Sequence, residues 1–196
     1  MSKLKKQSNK NAAKGNIRII AGQHRGRKLP VLMADGLRPT TDRVKETVFN
    51  WLMPYIQDAT CLDCFAGSGG LGFEALSRGA KTVTFVELNK AAAQQLSANK
   101  ALLHASNIEI HVTNAINFLQ QTQQKFSLVF IDPPFRKGLA QQAAEAISQH
   151  GLTENALIYV EMEVDNNTQV MPKNWQLLKE KVAGQVVYRL YQNGAS

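Results

Sequence analysis

From Thr60 onward the chain alternates short apolar runs with amphipathic stretches, and this rhythm limits its possible folds more than any other feature. Strands are expected at 60–64, 82–86, 108–112, 127–131 and 156–161, and helices at about 70–78, 89–102, 114–121 and 139–149. Strand–helix alternation with short turns requires a parallel sheet covered on both faces, because each crossover lays a helix against the sheet. Residues 175–182 and 185–191, joined at Ala183-Gly184, break the rhythm and read as an antiparallel hairpin closing one edge. The expected fold class is α/β, with a mostly parallel seven-stranded sheet and an antiparallel C-terminal hairpin.

Ahead of this region lies a small β-hairpin extension: Ile17-Arg18-Ile19-Ile20, a turn near Gly22 to Gly26, then Arg27 to Leu32. Thr40 or Thr41 can cap a helix running from about Asp42 to Met53. Val44, Val48, Trp51, Leu52 and Tyr55 fall at helical spacing and form its apolar face, most simply for core packing. A chain of 196 residues accommodates one domain with an appendage. Its expected organisation is a disordered basic tail over 1–16, a hairpin and helix over 17–55, and the main domain over 56–196.

Charge divides the chain along the same line. Residues 1–50 hold twelve Lys or Arg and three acids, a net +9, whereas residues 51–196 carry −1. A basic segment beside a near-neutral domain is the electrostatic footprint of nucleic-acid binding. Arg18, Arg25, Arg27, Lys28, Arg38 and Arg43 are the candidate phosphate contacts in this segment. Arg38 and Arg43 flank a helix start and could equally clamp that helix to the domain. No apolar run is long enough to span a bilayer, and no apolar signal core follows the basic N-terminus. A cytoplasmic protein is expected. Cys61 and Cys64 form a C-x-x-C, but a structural zinc site needs four ligands. His24, His104, His111 and His150 are scattered, so the cysteines read as small apolar filler and no metal is expected.

Two motifs carry chemistry. After the first parallel strand comes Asp63-Cys64-Phe65-Ala66-Gly67-Ser68-Gly69-Gly70-Leu71-Gly72, in which Gly67-x-Gly69-x-x-Gly72 matches the dinucleotide fingerprint. Glu87 ends the next strand, where an acid binds ribose hydroxyls. The glycines require only that backbone approach a ligand closely at a helix N-terminus. Asp63 argues against a pyrophosphate, which it would repel. It suits a cofactor carrying positive charge, such as the ammonium and sulfonium of S-adenosyl-L-methionine. The second motif, Asp132-Pro133-Pro134-Phe135, follows the apolar run Leu128 to Ile131. Its prolines fix a rigid turn holding a carboxylate, a carbonyl and an aromatic ring in one relation. That set fits a flat, amine-bearing ring, with two acceptors for the amino hydrogens and one face for stacking.

This constellation resembles the class I S-adenosylmethionine-dependent methyltransferases, whose fold is Rossmann-like. The resemblance implies that Asp63 serves the methionine end of the cofactor and that Glu87 takes the ribose. Phe65, Ala66, Gly67 and Gly69 would line the cofactor, with Leu88, Asn114 and Ala115 beside them. Asn114 stands where many members carry an acid that meets the adenine amino group, and its oxygen can still accept that bond. The tetrad marks methyltransferases acting on adenine N6, guanine N2 or glutamine amides, with Asp132, Pro133 and Phe135 as its acting residues.

Ile17 to Gly22, Arg38-Pro39-Thr40-Thr41-Asp42-Arg43-Val44-Lys45-Glu46, the run Asp63 to Gly79, the tetrad and Glu180 to Gln185 narrow the likeness to the RsmD family. That family implies methyl transfer to the exocyclic N2 of a specific guanine of 16S ribosomal RNA. The partner would be the small ribosomal subunit or an assembly intermediate, and the protein would act as a monomer. The basic N-terminal quarter would grip phosphates, with Arg136 and Lys137 placed to meet RNA beside the tetrad. The alternatives are a DNA adenine-N6 methyltransferase, an NAD-dependent oxidoreductase, and a non-catalytic RNA-binding module.

Overall fold

The computed structural model describes residues 14–32, 41–134, 138–164 and 170–194. Two antiparallel strands, β1 (Lys14–Arg18) and β2 (Lys28–Leu32), form a small sheet of their own. The main sheet has seven strands: β3 (Thr60–Asp63), β4 (Thr82–Val86), β5 (Ile108–His111), β6 (Phe126–Ile131), β7 (Leu152–Glu163), β8 (Trp175–Ala183) and β9 (Val186–Asn193). Their spatial order is β5-β4-β3-β6-β7-β9-β8, parallel from β5 to β7 and antiparallel at β9 and β8. The order reverses between β3 and β6, which opens a crevice outside the carboxyl ends of these two central strands.

Among the described residues five helices cover the sheet: α1 (Asp42–Leu52), α2 (Gly70–Ser77), α3 (Lys90–Leu102), α4 (Ala115–Gln121) and α5 (Leu139–Ser148). Period-two alternation along the strands divides the core into two layers. Cys61, Phe85, Leu128, Phe130 and Tyr159 pack with Phe49 of α1, Phe73 of α2 and Leu96 of α3. On the opposite face, Leu62, Val129, Ile131 and Ile158 pack with Leu119 of α4 and Ala143, Ala144 and Ile147 of α5. The C-x-x-C spacing puts Cys61 in the first layer and Cys64 in the second. Burial raises both thiols far above their ordinary range, with the Asp63 charge adding to it. They are packing residues.

Several expectations shift, among them the strand expected at 156–161, which runs over Leu152–Glu163. The hairpin's first strand is Lys14–Arg18 rather than 17–20, because β1 extends back to pair Lys14 with Leu32. Residues 14–16 therefore belong to the hairpin and not to the tail; residues 1–13 lie outside the described residues. Helix α1 ends at Leu52, so Tyr55 falls off its apolar face and is 51% exposed, while Phe49 takes a core position. Lys45 is also buried there, its Nζ donating to the Arg18 carbonyl at 2.6 Å and lying 3.3 Å from an Asp42 oxygen. Thr41 caps the helix by accepting the Val44 N–H.

The hairpin is fastened to the far end of α2 from the glycine loop. Glu74, fully buried, accepts the N–H groups of Ile20 and Ala21 at 2.8 and 3.1 Å, and Arg78 Nε at 2.7 Å balances its charge. Ser77 accepts the His24 N–H at its hydroxyl and the Gln23 N–H at its carbonyl. Gly22 sits at φ +81° so close to α2 that a Cβ there would lie 1.7 Å from the Ser77 carbonyl oxygen. Asn99 of α3 donates to the Pro30 carbonyl.

Candidate active site

The first two parallel strands bordering the crevice each end in an acid that organises backbone. Asp63, at the end of β3, is 3% exposed and accepts the Gly72 N–H at 3.1 Å. It thereby ties the strand to the first turn of α2 and bends the intervening loop back on itself. Gly69 caps α2 with φ +77°, a left-handed conformation that costs glycine little. Glu87, at the end of β4, accepts the Gly67 N–H at 2.7 Å and the Asn89 N–H at 2.7 Å. One half-buried carboxylate therefore spans the glycine loop and the turn into α3. Asn89 caps α3, accepting from Ala91 and Ala92.

Electrostatically the crevice is short of positive charge. Burial pushes the Asp63 carboxyl up to about 7; hydrogen bonds from Gly72 and Phe65 pull it down, and the Glu87 charge raises it further. Among the described residues no cation pairs with Asp63 or Glu87. A pyrophosphate would meet two carboxylates here, whereas a cationic ligand would supply the missing countercharge. Glu87 also offers acceptors at the position that suits vicinal hydroxyls. The residues fit a methionine-derived, positively charged nucleoside.

Ala66 is buried, Phe65 and Gly67 are half-buried, and Leu88 projects into solvent at 67% exposure. Asn114 is the N-cap of α4, with its Oδ1 accepting the N–H groups of Ile116 and Asn117 at 2.9 and 3.2 Å. Both lone pairs of that oxygen are thus engaged, so the polar group Asn114 has left to offer is its amide NH₂, a donor. This differs from the expected acceptor role. Ala115, the first residue of α4, is buried beside it.

Asp132 follows β6 directly, half-buried, with Pro133 buried behind it. Phe135, Arg136 and Lys137 lie outside the described residues. The β6–β7 register pairs Phe130 with Tyr159 and Ile131 with Val160, so Asp132 stands level with Glu161. Tyr159 donates its hydroxyl to Glu161 at 2.9 Å, and the charges of Glu161 and Asp132 both raise the Tyr159 phenol, after the larger effect of burial. On β9, Tyr188 pairs with Glu161. Sequence reading missed this row. Its signal is an acid at the end of the apolar run Ile158-Tyr159-Val160, two positions beyond a tyrosine on the same face.

The basic candidates separate into two places. Arg18, Arg25, Arg27 and Lys28 are exposed on the hairpin, whose turn docks about 12 Å from the glycine loop, the length of the eight-residue α2. Arg43 stands on the first turn of α1, where its charge reaches Tyr188. Arg38 lies outside the described residues.

The profile of a family described as conserved hypothetical protein 95 matches residues 17–192. Ribosomal RNA small subunit methyltransferase D of Escherichia coli is 55% identical over 186 residues, covering 94% of each chain. A solved structure, a putative methyltransferase from Escherichia coli, superposes with a TM-score of 0.87 at 54% identity, covering 93% of this chain and all of that one. A putative methyltransferase complexed with SAH shares the fold at 18% identity, with a TM-score of 0.68 over 96% of this chain and 58% of that one. Asp63, the glycine loop and the Asp132 corner thus stand on a class I methyltransferase fold, and the chain belongs to the ribosomal RNA small subunit methyltransferase D (RsmD) family of methyltransferases.

Proposed function

We propose that this protein transfers a methyl group from S-adenosylmethionine to the exocyclic N2 of one guanine of 16S ribosomal RNA. The observation that carries this reading is the meeting of two features at the carboxyl edge of adjacent strands. A carboxylate-rich glycine crevice ends β3, and the Asp132-Pro133 turn ends β6. SAH in a neighbour of the same fold supports the cofactor, since it is what S-adenosylmethionine becomes on losing its methyl. The relatives' name supports the RNA, and the tetrad supports an amine as acceptor.

The bound cofactor supplies an electrophilic methyl on a sulfonium. Glu87 holds the ribose hydroxyls, and Asp63 keeps the loop closed while lending negative charge to the methionine end. Asp132 and the Pro133 carbonyl accept the two N–H bonds of the guanine amine, which aligns its otherwise delocalised lone pair for in-line attack. Their negative potential stabilises the positive charge that builds on nitrogen, a contribution of roughly 10²–10³ in rate per acceptor. Phe135 stacks on the base. The amine's proton leaves to Asp132 or to water. The guanine enters unpaired or swung out of its stack.

Residues 17–55 serve as the RNA-gripping extension of the catalytic domain over 56–196. Arg18, Arg25, Arg27, Lys28, Arg38 and Arg43 neutralise phosphates, joined near the base by Arg136 and Lys137. The protein acts as a monomer in the cytoplasm, on the small subunit or an assembly intermediate. No helix among the described residues is long and apolar enough to cross a membrane. The test is incubation with labelled S-adenosylmethionine and small subunits lacking the modification, followed by mapping of the methylated base. One N2-methylguanine is expected. Label in DNA adenine, or no label in RNA, overturns the reading.

A further inference from the structure

A guanine held only by its amine would leave its N1–H without an acceptor once the pocket is desolvated. A buried donor without a partner is penalised by its full loss of hydration. In the proposed reaction one oxygen of Asp132 and the Pro133 carbonyl take the two N2 hydrogens, and each N–H of the base is best met by its own acceptor. An acceptor dedicated to the N1–H would lie on the same side of the base and close to Asp132.

The sheet register supplies one candidate. Phe130 and Tyr159 are partners on neighbouring parallel strands, and their rings meet on the α1-covered face at 6.3 Å. Two residues on, Asp132 and Glu161 share that face, with strand axes about 4.8 Å apart. Tyr159 occupies one oxygen of Glu161, its hydroxyl donating to Oε2 at 2.9 Å. Among the described residues Oε1 has no hydrogen-bond partner and is not enclosed, and the residue is half-buried. The surrounding groups leave the acid without a salt-bridge partner among the described residues. Tyr188 lies opposite on β9, Arg43 approaches Tyr188 from α1, and Lys181 on β8 reaches toward Thr47 at 3.5 Å. Tyr159 fixes the Glu161 rotamer, so the free oxygen is held in place rather than swept by a mobile side chain.

We infer that Glu161, oriented by the Tyr159 hydroxyl, reads the N1–H of the target base beside Asp132 and makes the site selective for guanine over purines whose N1 is an acceptor. The inference rests on the proposed base-methylation reading and adds the residue that sets base identity. An adenine-type edge would turn a lone pair toward the carboxylate, which is repulsive as well as unsatisfied. Burial raises the Glu161 carboxyl above its ordinary value, and the bond from Tyr159 pulls it back toward the ionised form that accepts.

The decisive substrate is a small subunit reconstituted with 2,6-diaminopurine at the target position. This base keeps the N2 amine but has an N1 acceptor in place of the N1–H. Wild-type protein should methylate the guanine subunit with a kcat/KM roughly 10- to 100-fold above the diaminopurine subunit. In Glu161→Gln the amide can donate to the diaminopurine N1 while its oxygen keeps the Tyr159 bond. The preference should shrink by about 10-fold or more, with S-adenosylmethionine affinity unchanged as the check on folding. If Glu161→Gln slows both substrates equally, Glu161 is only packing and the inference fails while methylation of guanine stands. If the wild type does not methylate the guanine subunit at all, the underlying reading fails with it.

Discussion

Helix α2 carries a glycine turn at each end, and the two are held in opposite ways. At the Ser77 end the Gly22 turn rests on a buried acid whose charge is balanced. Glu74 takes two backbone N–H groups from the hairpin and has Arg78 as its counterion. At the Gly69 end, the loop is also pinned by a buried acid, but Asp63 has no cation beside it among the described residues and sits near another carboxylate. A saturated polar cluster fixes geometry and asks nothing of a ligand. A desolvated, unbalanced one stores a preference for whatever positive charge next arrives. The first end is a mount for the basic hairpin, and the second is where the proposed reading seats the cationic cofactor.

The contrast is sharpest when one end is disabled and the other is left intact. On the crevice side, Asp132→Ala should lower kcat by roughly 10²–10³ while S-adenosylmethionine and small-subunit binding persist, as single-turnover methylation and filter binding will show. On the mount side, Gly22→Ala sets a Cβ against the Ser77 carbonyl at 1.7 Å, a clash with backbone that cannot be relieved by a rotamer. The hairpin should undock, with small-subunit affinity falling about 10-fold or more. Calorimetric titration should still return the wild-type affinity for S-adenosylmethionine. Loss of cofactor binding in this variant would break the division of labour.

A pH profile tests the imbalance itself. Asp63 has its folded value raised to about 7 from 3.8, so between those values the folded protein binds more protons than the unfolded chain. Stability should therefore fall as pH rises from about 4 to about 7, then level off. Asp63→Asn keeps an acceptor for Gly72 and should flatten that slope in urea melts, while weakening binding of the cationic cofactor. The smallest expected effect concerns the exposed hairpin cations. Arg25→Gln with Arg27→Gln should reduce the slope of log affinity against log salt for the small subunit by roughly one per arginine, without touching kcat.

Much of this was legible in the sequence, because it depends on local periodicity. The strand at 82–86 and the helix starts near 70, 90 and 139 follow from apolar spacing and caps. What escaped depends on residues far apart in the chain. Glu74 meets Ile20 across 54 positions, and a buried glutamate in a helix reads as a surface residue until that partner is known. Lys45 likewise hides behind a carbonyl contributed by Arg18. At the site, Asp63, Glu87 and the Asp132 turn were visible as strand-end acids. The capping use of the Asn114 oxygen and the alignment of Glu161 with Asp132 were not, since one is a matter of rotamer and the other of inter-strand register.

The central claim is that a charged methyl donor in the glycine crevice faces an amine held at Asp132. A crystal structure with bound S-adenosylhomocysteine, the demethylated donor, tests it directly. The ribose should sit on Glu87 and the sulfur should point across the β3–β6 edge toward the Asp132 carboxylate. A ligand lodged with its sulfur turned away from that corner, or bound outside the crevice, would contradict the account.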